Sequence, residues 1–186
     1  REKFWKLVSS ETSWLTGEDV GRGRVMQYWD KAPWKPRKWQ KEAVPKIIDA
    51  IKSGTRYPVV SAIMGAGKSI TISELVYQAL KKTTSQSRIV ICAPTKDLVN
   101  QLAGTVGYRC GEDNVGRYFS DAKDLSKSVI ITTFVSAPKV AAHLESQKIR
   151  VVMLIGDEIH GTETDVFKDA FHQLDPVCAV GFTATP

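Results

Sequence analysis

The stretch Ala62-Ile63-Met64-Gly65-Ala66-Gly67-Lys68-Ser69 constrains this chain more than any other. Before it, Tyr57-Pro58-Val59-Val60-Ser61 reads as a buried strand. After it, residues 70–80 read as a helix. A strand, a glycine turn and a helix in that order make a cradle for phosphate. The two glycines let backbone N–H groups close around an anion, and the helix N-terminus adds its partial positive charge. Lys68 then reaches the outer phosphates and the Ser69 hydroxyl can ligate Mg²⁺. The usual pattern opens with glycine six residues before the lysine, and here that position is Ala62.

The rest of the chain sets the cradle in a repeating frame. Trp39, Ala43, Val44, Ile47, Ile48 and Ile51 recur at intervals of three and four, which predicts a helix from about residue 36 to 53. It should stop at Gly54, with Pro45 a local cost inside it. Short apolar runs at 88–93, 115–119, 128–132, 150–155 and 177–182 predict strands. Between them lie a helix capped by Thr95 and ended by Gly104 and Gly107, one at 135–146 with Pro138 in its first turn, and one at 164–174. Unalternating strands interleaved with helices predict an α/β fold, a three-layer parallel sheet with helices on both faces. Ligands of such sheets sit at the carboxyl ends of the strands, where the glycine turn falls.

Length, charge and cysteines narrow the class further. The 186 residues suit one domain, divided here into an N-terminal arm or small extension at 1–35 and a main lobe at 36–186. No run approaches about 18 apolar residues, and the first six lack the apolar core of a secretory signal. The expectation is a cytoplasmic protein with no membrane partner. Cys92, Cys110 and Cys178 are odd in number and far apart, so buried thiols are expected and neither a disulfide framework nor a zinc site. Residues 1–46 hold eleven Lys and Arg against six Asp and Glu, nearly all of the net +6, and also all five tryptophans. That mixture suits a surface that neutralises phosphates and stacks bases, or an arm whose tryptophans anchor it to the body while its charges stay solvated.

A phosphate cradle needs a metal anchor and a group that aims water. Asp157-Glu158, at the exit of the apolar run 150–155, supplies two carboxylates: Asp157 for Mg²⁺ and Glu158 for orienting or deprotonating the water.

Taken in order, Arg37-Lys38-Trp39-Gln40, Met64 to Ser69, Ala93-Pro94-Thr95-Lys96-Asp97-Leu98, Ile131-Thr132-Thr133-Phe134, Asp157-Glu158-Ile159-His160 and Thr183-Ala184-Thr185-Pro186 form a set. This set resembles the first RecA-like lobe, a P-loop NTPase fold, of a superfamily-two helicase or translocase. It is nearest the DEAH-like and restriction-enzyme-like members, phage members included.

The resemblance implies a motor that couples ATP hydrolysis to movement on nucleic acid, DNA ahead of RNA, with ATP and Mg²⁺ as cofactors. It implies that Gln40 reads adenine and Arg37 stacks on it, with a helix cap as the competing role for Arg37. Gly65, Ala66, Gly67, Lys68 and Ser69 would hold the phosphates. Pro94, Thr95 and Lys96 would grip the nucleic-acid backbone, unless Thr95 serves only as a cap, and Thr133 would touch a second phosphate. His160, Thr183 and Thr185 would couple the nucleotide site to strand movement. A second RecA-like lobe, with the arginine finger that completes the site, is the implied partner outside these residues. Two rivals are a catalytically silent nucleotide-sensing or docking module and the motor subunit of a restriction complex.

Overall fold

A computed structural model describes residues 28–55, 57–160 and 163–184. The helices are Lys38–Lys52 (α1), Lys68–Leu80 (α2), Lys96–Cys110 (α3), Ala137–Ser146 (α4) and Glu163–Leu174 (α5). The strands are Val59–Ser61 (β1), Ser87–Ala93 (β2), Val115–Phe119 (β3), Ala122–Lys123 (β4), Val129–Thr133 (β5), Arg150–Gly156 (β6) and Cys178–Thr183 (β7). They form one sheet in the order β1-β7-β6-β2-β5-β3-β4. Every pairing is parallel except β3 with β4, a two-residue antiparallel strand that no apolar run announces.

Burial explains the continuous apolar runs. Strands β5 and β7 are buried along their whole length, and β2 and β6 nearly so. Alternate residues serve opposite faces. Ile89, Ile91, Ile131, Ile155 and Val180 meet Val44, Ile48, Ile72, Val76, Val99 and Leu102 of α1, α2 and α3. Val90, Ile130, Leu154 and Ala179 meet Val140 and Leu144 of α4 and Phe167 and Phe171 of α5. Each fully buried side chain of this size contributes about 1.5–3 kcal/mol, so the layers are held by the sheet's two apolar faces.

Three local expectations need correction. The strand before the cradle is shorter than expected and not buried: β1 pairs only with β7 among the described residues, and Val59 is 52% exposed. Gly104 and Gly107 do not end α3, which runs through both to Cys110 and stops at Gly111, where φ is +91°. Gly107 instead allows close approach, since a Cβ there would stand 3.3 Å from Glu112 Cγ. The helix expected from residue 135 begins at Ala137, after a single 3₁₀ turn over Phe134–Ser136. Pro45 lies inside α1 without ending it.

Residues 1–27 of the expected arm, and Thr185, lie outside the described residues. Of the tryptophans, 29, 34 and 39 are described and all touch the lobe. Trp29 packs on the core and its backbone N–H donates to Glu74 Oε1 at 2.8 Å. Trp34 tilts against Tyr108 at 5.6 Å between ring centroids. Glu74 itself is fully buried and paired with Arg109. All three cysteines are free thiols; Cys92 and Cys178 are buried as expected, and Cys110 is only partly so. Burial pushes Cys92 and Cys110 up to about 12 and raises Cys178 as well. No described helix is long and apolar enough to cross a membrane.

Candidate nucleotide and nucleic-acid site

The sheet brings the predicted residues to one edge. At its carboxyl side, Ala62 N–H donates to Thr183 O at 3.0 Å, Ile159 N–H to Phe182 O at 2.9 Å and Asp157 N–H to Cys92 O at 2.9 Å. Ala93 pairs with Thr133 across β2 and β5. The edge therefore runs from the cradle through Thr183, then Asp157 and Glu158, to Pro94–Lys96 and Thr133.

Glycine is required in the cradle for two reasons. Gly65 and Gly67 take φ of +77° and +92°, the left-handed region that costs other residues roughly 1–2 kcal/mol. Gly67 is also the N-cap of α2 and offers no side chain to the helix's first N–H groups, which stay available to an anion. Turning those N–H groups inward turns the loop's carbonyls outward, where they need donors. The start of α1 provides them. Arg37 Nη1 donates to Gly65 O and Ala66 O, both at 3.1 Å, Trp39 Nε1 to Ala66 O at 3.1 Å, and Gln40 Nε2 to Gly67 O at 3.0 Å.

This arrangement departs from the role implied for Gln40. Its amide is 1% exposed, and its Oε1 accepts the Arg37 N–H at 2.7 Å while its Nε2 holds Gly67. In this conformation it braces the cradle from behind instead of facing a base. Arg37 occupies the N-cap position but makes no side-chain cap bond. A cleft of about 370 Å³ opens between Arg37 and Trp39 on one side and residues 61–66 on the other, and Gln40 does not line it. The sequence places Trp39 on an apolar helix face and within the Arg37–Gln40 motif but assigns it no role at the cradle. Its place in the same helical turn as Arg37 and Gln40 is the signal that points to the cradle.

Inside the cradle, Lys68 Nζ lies 2.5 Å from Glu158 Oε1, with side-chain exposures of 9% and 22%. The pair spans ninety residues of sequence, and it brings the expected phosphate-binding cation against the expected water-orienting carboxylate. Glu158 takes φ +55° at the corner leaving β6, an unfavourable conformation held by the bonds on either side of it. His160 Nδ1 lies 3.7 Å from Glu158 Oε2, just beyond hydrogen-bond distance, and half of its side chain is exposed.

Asp157 is buried beside this pair, and its Oδ1 has no hydrogen-bond partner among the described residues. Burial first, and the Glu158 charge second, push its carboxyl up to about 6, against the opposing pull of Lys68 and the Glu158 backbone N–H. A buried carboxylate oxygen without a donor is the feature a hard cation would satisfy, so the residues present fit Mg²⁺. No group of three or more His, Cys, Asp or Glu among the described residues could hold a metal alone. Magnesium here would rest on Asp157, on Ser69 at the start of α2, and on phosphate oxygens.

On the other side of β6 the structure gathers the residues expected to grip nucleic acid. Thr95 caps α3, its Oγ1 accepting from Leu98 N–H at 3.3 Å, and it remains exposed. The capping role is therefore real and leaves surface for a second one. Lys96 Nζ lies 3.1 Å from Asp121 Oδ2, and that bond is the first cause holding the Asp121 carboxyl below its ordinary range. Pro94 is half-buried, and Thr133 is only 8% exposed, so little of its side chain faces the edge.

Comparison with known proteins accords with this geometry. The family model described as type III restriction enzyme, res subunit, matches residues 33–186. The UvrABC system protein B of Prochlorococcus marinus is 34% identical over 78 residues, 42% of this chain and 11% of that protein. Its counterpart in Kosmotoga olearia is 29% identical over 72 residues, 39% and 10%. The chain thus matches about a tenth of the length of these curated relatives. Among solved structures, the UvsW helicase from bacteriophage T4 superposes with a TM-score of 0.66 at 20% identity, covering 89% of this chain and 58% of that one. A Sulfolobus solfataricus SWI2/SNF2 ATPase core in complex with dsDNA gives 0.63 at 16% identity, covering 82% and 32%. A nuclease-deletion mutant of the type ISP restriction-modification enzyme LlaGI with a DNA substrate mimic gives 0.63 at 17%, covering 82% and 18%. The structural likenesses show the fold, an α/β P-loop NTPase lobe of the RecA type.

Proposed function

We infer that this chain, which belongs to the family of type III restriction enzyme res subunits, carries the first RecA-like lobe of a superfamily-two helicase motor. From that premise we propose that it binds Mg²⁺-ATP in the cradle. Working with a second RecA-like lobe, it would convert hydrolysis into movement along DNA in the cytoplasm. The observation that carries this reading is the set formed by Lys68, Glu158 and the unpartnered Asp157 Oδ1 at the mouth of a glycine turn that leads into a helix start no side chain caps.

In this reading the phosphates are bound by the Lys68 ammonium and by the backbone N–H groups of Gly65, Gly67 and Ala66, the last of which would have to leave Ile63 O, its acceptor at 3.0 Å. Ser69 and Asp157 hold the magnesium ion. When bound, the ion neutralises charge on the phosphate oxygens. Lys68 cannot serve phosphate and Glu158 equally, so its turn toward phosphate frees the Glu158 carboxylate. Glu158 then orients the attacking water and accepts its proton. Arg37 and Trp39 flank the cleft that would receive the base, and Gln40 fixes the loop under it. Thr95, Lys96 and Pro94, with Thr133 below them, would follow the sugar-phosphate backbone, and His160, Thr183 and Thr185 would link the two halves. Solved neighbours described with dsDNA and with a DNA substrate mimic favour DNA over RNA.

The test is Glu158→Gln in the full-length protein. Nucleic-acid-stimulated ATP hydrolysis should fall by about 10²- to 10⁴-fold, the range for removing a general base, while ATP binding persists. Unchanged hydrolysis would refute the assignment of Glu158, and the absence of nucleic-acid-stimulated hydrolysis in the unaltered protein would favour a silent sensing module. Equal stimulation by DNA and RNA of the same sequence would remove the preference for DNA.

A further inference from the structure

Asp157 and Glu158 leave β6 through one tight corner, and the next residue packs beneath it. Ile159 is 7% exposed. Its side chain lies over two glycines that are partners on adjacent strands, Gly156 of β6 and Gly181 of β7. A Cβ on Gly156 would stand 2.8 Å from Ile159 Cγ2 and 2.5 Å from the Phe167 ring, and one on Gly181 would collide with Ile159 Cδ1. Neither glycine has a left-handed φ, so the missing side chains serve space and not backbone conformation. Main-chain bonds hold the corner on both sides, Asp157 N–H to Cys92 O and Ile159 N–H to Phe182 O. Between those anchors Glu158 takes φ +55° and points its carboxylate at Lys68.

The geometry points to Ile159 as a positioning residue. Its side chain, keyed over Gly156 and Gly181, fixes the left-handed corner that aims Glu158 at the cradle and ties that aim to β7, the strand ending in Thr183. The inference rests on the role given to Glu158 above. A β-branched side chain suits the task, because its restricted χ1 makes a stiff key. The phosphates themselves are held by the cradle, so loosening the key should spoil the aim of Glu158 and spare the binding of ATP. A misplacement near 1 Å costs on the order of 10²-fold in rate.

The experiment measures nucleic-acid-stimulated ATP hydrolysis by the full-length protein over a range of ATP concentrations. Ile159→Ala should lower kcat by roughly 10- to 100-fold and leave KM for ATP within about threefold. Gly181→Ala should also lower kcat, because its methyl group drives Ile159 from its seat. Adding Ile159→Val, which removes Cδ1, should restore most of the rate lost in Gly181→Ala. A purely structural role for Ile159 predicts no such split between kcat and KM. Wild-type kcat in Ile159→Ala, or a Gly181→Ala defect that Ile159→Val does not relieve, overturns the proposal. If Ile159→Ala does not fold, the Gly181→Ala and Ile159→Val pair decides alone. Glu158→Gln is measured beside them. If it leaves hydrolysis intact, the functional reading falls and the positioning role with it. If it abolishes hydrolysis while Ile159→Ala is harmless, only the positioning role falls.

Discussion

Arg109→Met should destabilise this lobe more than any surface ion-pair change, and the reason lies in what the substitution leaves behind. Arg109 and Glu74 have side-chain exposures of 3% and 0%, and Nε meets Oε2 at 2.8 Å. The guanidinium also donates to Asp30 O at 2.9 Å and lies 3.5 Å from the centroid of the Tyr77 ring. Glu74 Oε1 accepts from Trp29 N–H at 2.8 Å and from Gln78 Nε2 at 2.6 Å. Methionine keeps most of the apolar stem but strands a buried carboxylate between two neutral donors. Breaking a buried pair from one side costs about 3–5 kcal/mol, a large part of the 5–15 kcal/mol that holds an ordinary domain together. At a urea slope near 2 kcal/mol/M, a loss of about 4 kcal/mol moves the unfolding midpoint down by about 2 M. Urea titrations followed by far-ultraviolet circular dichroism measure it directly. Adding Glu74→Gln, which removes the stranded charge and keeps an acceptor for Trp29, should recover roughly half of the loss. A cost below about 1 kcal/mol for Arg109→Met, as at an exposed pair, or no recovery in the double variant, would refute the reasoning.

Asp157 gives a prediction about pH. Its folded carboxyl is pushed up to about 6 from 3.8, so the folded state holds the proton more tightly between those values. Stability therefore falls as pH rises from about 4 to 6, by at most about 3 kcal/mol. Asp157→Asn should flatten that slope and stabilise the metal-free protein at pH 7, and an unchanged slope in urea midpoints from pH 4 to 7 would count against it. Gly67→Ala should cost more stability and more ATP affinity than Gly65→Ala. Both suffer a positive φ, but only at Gly67 would the new Cβ sit 2.7 Å from Gln40 Nε2. Thermal unfolding and a fluorescent-nucleotide titration would rank the two. Lys96→Ala should weaken DNA binding and lower the slope of log affinity against log salt by about 1. Thr95→Ala should cost about 1 kcal/mol of stability through the lost cap without changing that slope.

What the sequence discloses follows from how local each feature is. Strands β2, β5, β6 and β7 are legible because a parallel strand covered on both faces needs a continuous apolar run. The two residues of β4 have no such run, and the exposure of β1 depends on its place in the strand order, which no local pattern encodes. Gly104 and Gly107 mislead because a helix tolerates glycine where a neighbour approaches closely. The cradle is contiguous in sequence and so visible in it. The donors behind it come from residues twenty-seven to twenty-nine positions away, and the Glu74–Arg109 pair spans thirty-five. Nothing in a composition or a period encodes such pairings.

The wiring of the sheet edge limits how the two halves of the site can communicate. Consecutive carbonyls at the end of β7, Phe182 O and Thr183 O, accept from Ile159 on one side and Ala62 on the other. Cys92 O then ties Asp157 to β2. The route from the cradle to the Thr95 loop therefore crosses three strand spacings, about 14 Å, entirely through main-chain bonds. A one-residue slip of any of these strands would throw its apolar side chains from one face of the sheet to the other. Strand sliding is thus closed as a means of transmission. What remains free to change is the side-chain layer above the edge, where Lys68, Glu158 and His160 can exchange partners while the main chain stays fixed.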